Sequence, residues 1–505
     1  MRDIMLLLRR CSRAMGIVLN SVRLADVFVG LAGRWGDRPA VISPQLSLSY
    51  AELVARAARA ARELQARGIA PGARVGIALR DGGETLVAML ALWMLGATAV
   101  PIDFRSNAAE RGKLASEFDL AAVLEDRQAP AATHSSVLVD GAWTDLIARH
   151  DASPLWASGG CAPALISLTS GTTARPVGFV LDQDRALFRS ITPLPNHYRG
   201  SLLNPLALSF SGSRSHTLSA LLQGATVRFF PVLFSPQELA EAIVAWKIGS
   251  ICAVPTIIRN LLEFAGDRST PLFAELQAFY SIGAPMLAEE KLKARSTLCG
   301  NFIQDYGSTV SGCMSSLYGL DLEERPDTVG RVQPFVALQV VDDEDRVLPS
   351  GEVGNIRVRA PGMARTMYGG GAPRASGDTL KEGWAYPGDI GVLDDKGYLR
   401  LMGRSSDLII RGGANVHPSE VEAAIADLAG VREVAVVGFT KLPEGQEIAA
   451  FIVGSNDLTE AALVAHCRVR LGSDKRPRRF VFVKDLPRNP NGKISRAELR
   501  RQLES

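Results

Sequence analysis

The residues from Leu168 to Gly178, Leu-Thr-Ser-Gly-Thr-Thr-Ala-Arg-Pro-Val-Gly, are of the types that can cradle an anion. The apolar run Ala164-Leu165-Ile166-Ser167 before them reads as a buried strand, and Phe179-Val180-Leu181 resumes the apolar pattern. Gly171 lets the backbone approach an anion, and Ser and Thr hydroxyls with backbone N–H groups can surround its oxygens. Read alone, the same residues also describe a Ser/Thr-rich surface turn. A cation stands near the C-terminus in Pro490-Asn491-Gly492-Lys493-Ile494-Ser495. The chain has ten lysines against 46 arginines, so a lysine after Asn-Gly is not compositional drift, although a solvated turn lysine is the plainer alternative. Asp389, in Tyr386-Pro387-Gly388-Asp389, offers a carboxylate suited to two O–H donors, or is simply a turn aspartate.

In order along the chain, these stretches and three more resemble the motifs of the adenylate-forming superfamily, closest to acyl-CoA synthetases. The others are Tyr280-Ser281-Ile282-Gly283-Ala284-Pro285, Gln304-Asp305-Tyr306-Gly307-Ser308-Thr309 and Gly403-Arg404-Ser405-Ser406-Asp407-Leu408-Ile409. The resemblance runs from about Val22 onward and implies an ATP-dependent acid–thiol ligase. Such an enzyme turns a small carboxylic acid and ATP into acyl-AMP and pyrophosphate, then passes the acyl group to CoA. It implies ATP, CoA and Mg²⁺ as cofactors. Thr169, Ser170, Gly171, Thr172 and Thr173 would hold phosphate oxygens. Gly283, Ala284 and Pro285 would wall the adenine opposite Tyr306, with Asp305, Gly307 and Ser308 completing that part of the nucleotide site. Asp389 and Arg404 would take the ribose, and Thr309 the α-phosphate. Lys493 would bridge carboxylate and α-phosphate, Asp407 would be the hinge, and Gly412-Gly413 would let a pantetheine arm pass.

Departures from the family pattern are equally specific. Ala174 replaces a glycine and Val177 a lysine, and Lys113 and Lys247 are the nearest lysines on either side, which leaves Arg175 as the local cation. Val310 stands where the family has a glutamate that helps hold Mg²⁺, and a valine side chain cannot bind a cation that wants oxygen ligands. Ser209 stands near the usual acyl-pocket histidine. Two alternatives to the CoA ligase follow: an impaired nucleotide- or acyl-binding relative, and an enzyme that loads a carrier protein in trans.

The pattern of elements must position these groups. Helical spacing at Leu53, Val54, Ala57, Ala60, Ala61 and Leu64, ending at Gly68, alternates with strand-like runs to about Val139. A second such set follows the phosphate turn, then strand-rich sequence from Val336 to Val358. The fold class expected is α/β. A large N-terminal domain of α/β subdomains plus a β-rich part is followed by a small mobile α+β C-terminal domain. The expected divisions are 1–20 an extension, 21–402 the AMP-binding domain, 403–407 the hinge and 408–505 the C-terminal domain. A cap at Ser419, with Glu422 in the first turn, is expected to open the helix to Leu428. The chain of 505 residues is 47% hydrophobic with a net charge of +3 and mixed signs, which excludes a dedicated nucleic-acid binder. Six scattered cysteines point to reduced thiols in the cytoplasm. The apolar run Leu86 to Ile102 is broken by Gly96 and Pro101 and reads as a buried helix leading into a strand, so no integral membrane segment is expected.

Overall fold

The computed structural model describes residues 22–127, 133–155, 163–168, 177–191, 198, 200–369, 372–374, 379–411, 414–441, 445–488 and 493–504. The N-terminal extension and Thr169–Pro176 of the anion-cradle stretch, Arg175 included, lie outside the described residues. So do Gly412, Gly413 and Pro490–Gly492.

The first helices show how the core is specified. Ser49 caps the helix Tyr50–Ala66 in a capping box with Glu52, and Leu53, Val54, Ala57, Ala61 and Leu64 fall on its buried face. The apolar run from Leu86 belongs to the helix Gly82–Leu95, capped by the Asp81 side chain and ended at Gly96 in the left-handed conformation. Its residues from Gly83 to Leu95 are all buried, because it packs on its neighbour Tyr50–Ala66 on one side and on sheet strands on the other. Trp93 is held there by its Nε1 donating to the Ala164 carbonyl at 2.8 Å.

Among the described residues the strands form two large, mostly parallel sheets and a smaller antiparallel one. The eight-stranded sheet runs in spatial order from Ala372–Arg374 through Thr366–Gly369, Gly178–Leu181, Leu165–Leu168, Thr98–Pro101, Arg74–Ala78 and Ala122–Glu125 to Ser136–Leu138. The nine-stranded sheet places Ala278–Ser281 beside Phe302–Ser308 in parallel, and Gly312–Leu317 beside the latter in antiparallel. The antiparallel sheet holds Val353–Arg359, Asp389–Leu393 and Leu399–Arg404. Beyond Asp407, the strands Val431–Lys441, Gly445–Gly454 and Arg479–Phe482 form a separate sheet with apolar clusters of their own around Ile409, Val436, Ala450 and Phe451. The fold is of the α/β class expected from helix–strand alternation.

One local expectation is corrected. The helix after Val416 spans Pro418–Ala426 with His417 at the N-cap and Pro418 in the first turn, not Ser419 as cap. Proline suits that position because the first N–H groups of a helix have no intrahelical partner. The Ser419 hydroxyl instead donates to the Met402 carbonyl at 2.5 Å, tying this helix back to the strand Leu399–Arg404.

Candidate active site

The site is built where the nine-stranded sheet meets the antiparallel sheet. Antiparallel register pairs Asp389 directly with Arg404, so a strand start and a strand end put a carboxylate and a guanidinium side by side. Arg404 Nε lies 3.0 Å from Asp389 Oδ1. On the other oxygen, Tyr306 donates its hydroxyl to Asp389 Oδ2 at 2.6 Å. Burial, reinforced by the Asp389 charge, holds the Tyr306 phenol well above its ordinary range, so it stays a neutral donor. Asp389 is buried, and the three side chains converge from positions 83 and 15 residues apart.

Lys493 joins them from the C-terminal part of the chain. Its ammonium is pushed below the ordinary lysine value, first by burial, then by the neighbouring Arg404 charge, with Asp389 acting in the opposite sense. Lys493 therefore lies within electrostatic reach of both ribose-motif residues. Asp407 sits in the short 3₁₀ turn Ser405–Asp407 just after Arg404. Its carboxylate accepts from Arg500 Nη2 at 3.0 Å and lies 3.8 Å from Arg496 Nη1, both on the C-terminal helix Arg496–Glu504.

Two glycines of the motifs are required by space. Gly307 lies where the register with Gly312–Leu317 shifts, and a Cβ there would meet the Gly312 carbonyl oxygen at 2.5 Å. Gly283 has φ +89°, and a Cβ would stand 2.7 Å from the Phe210 ring. Ala284 is half-buried and Pro285 exposed beyond it, while Ser308 bonds Ser311, hydroxyl to hydroxyl, at 2.8 Å.

Asp305 is placed differently from the expectation that grouped it with Tyr306 at the nucleotide. Successive strand residues face opposite ways, and the Asp305 carboxylate bonds Ser316 and faces His216, away from Asp389.

Around Thr309 and Val310 the backbone is held by arginines that looked unremarkable in the sequence. Arg189 donates from Nη1 to the Thr309 carbonyl at 2.9 Å, from Nη2 to the Val310 carbonyl at 2.7 Å and from Nε to the Gly362 carbonyl at 2.6 Å. Burial and the charges of Arg214 and Arg185 lower its pKa to about 9. Arg214, on the helix Ser211–Leu222, donates to the Leu208 carbonyl and to the Ser167 hydroxyl on the strand that leads into the anion-cradle stretch. The Val310 side chain is 2% exposed. Among the described residues no group of three or more His, Cys, Asp or Glu could hold a metal ion. These residues do not fit a protein-ligated Mg²⁺ at position 310.

The profile of the AMP-binding enzyme family matches residues 30–368, and that of the AMP-binding enzyme C-terminal domain matches residues 420–493. The long-chain-fatty-acid–CoA ligase FadD13 of Mycobacterium tuberculosis is 31% identical over 91% of this chain and 94% of its own. A feruloyl-CoA synthase from Amycolatopsis is 28% identical over 93% of this chain and 99% of its own. Among solved structures, ATP-bound MatB from Rhodopseudomonas palustris superimposes with a TM-score of 0.85 at 27% identity, covering 96% of this chain and 99% of that one. The chain belongs to the AMP-binding enzyme family, and its relatives named here include acid–CoA ligases.

Proposed function

We propose that this chain activates a small carboxylic acid with ATP and transfers the acyl group to CoA in the cytoplasm. In the first half-reaction a carboxylate oxygen attacks the α-phosphorus, and pyrophosphate leaves. In the second, the CoA thiol attacks the acyl carbonyl, and AMP leaves with the oxygen that came from the acid. The observation that carries the reading is the convergence of Tyr306, Asp389, Arg404 and Lys493. Asp389 accepts the ribose hydroxyls with Arg404 beside it, and the Tyr306 ring faces the adenine. Lys493 supplies the positive charge that two approaching anions need. Thr169, Ser170, Gly171, Thr172, Thr173 and Arg175 hold the phosphates, and Gly412-Gly413 the pantetheine arm. That convergence also argues against an impaired binder, despite Val177 and Val310. Carrier-protein loading is the weaker reading. A fatty acid–[acyl-carrier-protein] ligase, ScoC of Streptomyces coeruleorubidus, is among the relatives at 29% identity over 92% of this chain and 93% of its own, but CoA ligases prevail. No described helix is long and apolar enough to cross a membrane.

The experiment is product analysis across a panel of acids. Acid-dependent AMP and pyrophosphate with CoA consumed into a thioester support the reading. ATP turnover without any acyl product would overturn it.

The domain division at 403–407 gives a further expected result. The C-terminal module must rotate if Lys493 serves the first half-reaction and the thiol path the second. Asp407→Pro fixes φ at one value, so one half-reaction should fall about tenfold or more relative to the other. Asp407→Ala, which removes the Arg496 and Arg500 contacts without fixing φ, should keep the two halves in balance. Equal rates in the proline variant would show that the pivot lies elsewhere.

A further inference from the structure

On the face of Phe302–Ser308 opposite Tyr306 lies a buried polar chain that the adenylation chemistry leaves unused. The Asp305 side chain is 7% exposed. Its Oδ1 accepts from the Ser316 hydroxyl at 2.5 Å, and that hydroxyl accepts from Gln333 Nε2 at 2.9 Å. Its Oδ2 lies 3.4 Å from His216 Nε2 and accepts no hydrogen bond among the described residues. No lysine or arginine among them pairs with Asp305.

His216, one residue beyond Ser215 on the helix Ser211–Leu222, is held from its other side. The Tyr198 hydroxyl lies 2.5 Å from His216 Nδ1. Burial keeps that phenol far above its ordinary range, so it stays a neutral hydroxyl beside Nδ1, and Nε2 is the ring nitrogen that faces Asp305. The Tyr280 ring packs on His216 at 4.9 Å and on Tyr198 at 5.6 Å between centroids. The Tyr280 hydroxyl is buried and also has no bonding partner among the described residues. Cys252 and Cys313 complete the surroundings as neutral thiols, their pKa values pushed up first by burial and also by Asp305.

Buried polar atoms are almost always bonded, and two that are not, in one cluster, call for a partner. Ser211, Gly212 and Ser215 on the helix and Cys313 on the adjoining strand are half-buried, while Ser213, Arg214, His216 and Thr217 are buried, so partly exposed residues flank the cluster. We propose that Asp305 and Tyr280 form the far end of the acid pocket and select acids carrying a hydrogen-bond donor, hydroxyl or amino, remote from the carboxylate. This inference rests on the acid-ligase reading. A carboxylate acceptor is satisfied by an O–H or N–H donor. A purely apolar acid would seal it off from water without one. A site built to bond a substrate hydroxyl discriminates strongly against the analogue that lacks it, since its own buried group is then left unpaired.

The test is acid-dependent pyrophosphate release with matched acids: 4-hydroxybenzoate, 4-aminobenzoate and 4-methylbenzoate, and 4-hydroxybutanoate, 4-aminobutanoate and pentanoate. In at least one set kcat/KM should favour a donor-bearing member over its methyl isostere by about 10²-fold or more. The hydroxyl and amino arms distinguish the two donors. Asp305→Asn, nearly identical in shape, should cut that ratio to about tenfold or less, and Tyr280→Phe, which keeps the ring packing, should lower it too. Donor and isostere used equally by the parent protein would overturn the inference while leaving the acid ligase intact, as would a ratio unchanged in both variants. No pyrophosphate from any acid would overturn both readings together.

Discussion

Lys493→Ala is expected to cut acid-dependent pyrophosphate release by about 10²- to 10³-fold, as loss of a preorganised charge at a reacting anion does. Thioester formation from supplied acyl-AMP should run at close to the parent rate, because the role proposed for the lysine lies in the step where two anions meet. Quenched-flow measurement of each half-reaction separates the two. Equal loss in both would show that Lys493 holds the site together rather than driving adenylation. The pH profile adds an independent reading. Lys493 carries charge only below its pKa, which burial and the Arg404 charge lower. Adenylation should therefore fall as pH rises through that lowered value, earlier than an exposed lysine would allow. In Lys493→Arg the alkaline limb should move to higher pH, since a guanidinium remains charged there.

Asp389→Asn is expected to lower kcat/KM for ATP by about 10²-fold, consistent with weakening two charge-assisted contacts. The amide keeps the shape but removes the charge that Arg404 faces at 3.0 Å and Tyr306 at 2.6 Å. It also removes an influence that raises the Lys493 pKa. The alkaline limb should thus shift further down in this variant, an effect that a purely structural lesion would not produce. Tyr306→Phe, which spares the Asp389–Arg404 pair, should cost about tenfold. An unchanged dependence on ATP in Asp389→Asn would remove the carboxylate from the nucleotide site.

Tyr306, Asp389, Arg404 and Lys493 were legible in the sequence because each lies in a short linear motif that resembles the family's. Their convergence needed tertiary structure, but the motif order already implied it. His216, Tyr198 and Asp305 were not legible as a group. They lie up to 107 residues apart and meet only because the strand pleat turns Asp305 away from Tyr306 toward one helix face. Arg189 and Arg214 were hidden for another reason. Arginines on helices are usually solvated, and nothing local says that these two are buried against backbone carbonyls. The α/β class followed from alternating helices and strands. The pairing of Thr366–Gly369 with Gly178–Leu181, nearly two hundred residues away, did not, since an edge strand's partner leaves no local pattern.

The most direct measurement of the central claim uses an acid labelled with ¹⁸O in its carboxylate. If the acid's oxygen attacks the α-phosphorus and CoA then displaces AMP, one labelled oxygen must appear in AMP and none in pyrophosphate. Mass spectrometry of the nucleotide after thioester formation should show AMP heavier by one ¹⁸O for each acyl-CoA formed. Unlabelled AMP, or label in a released phosphate with ADP as product, would contradict an acyl-adenylate and with it the function assigned to this site.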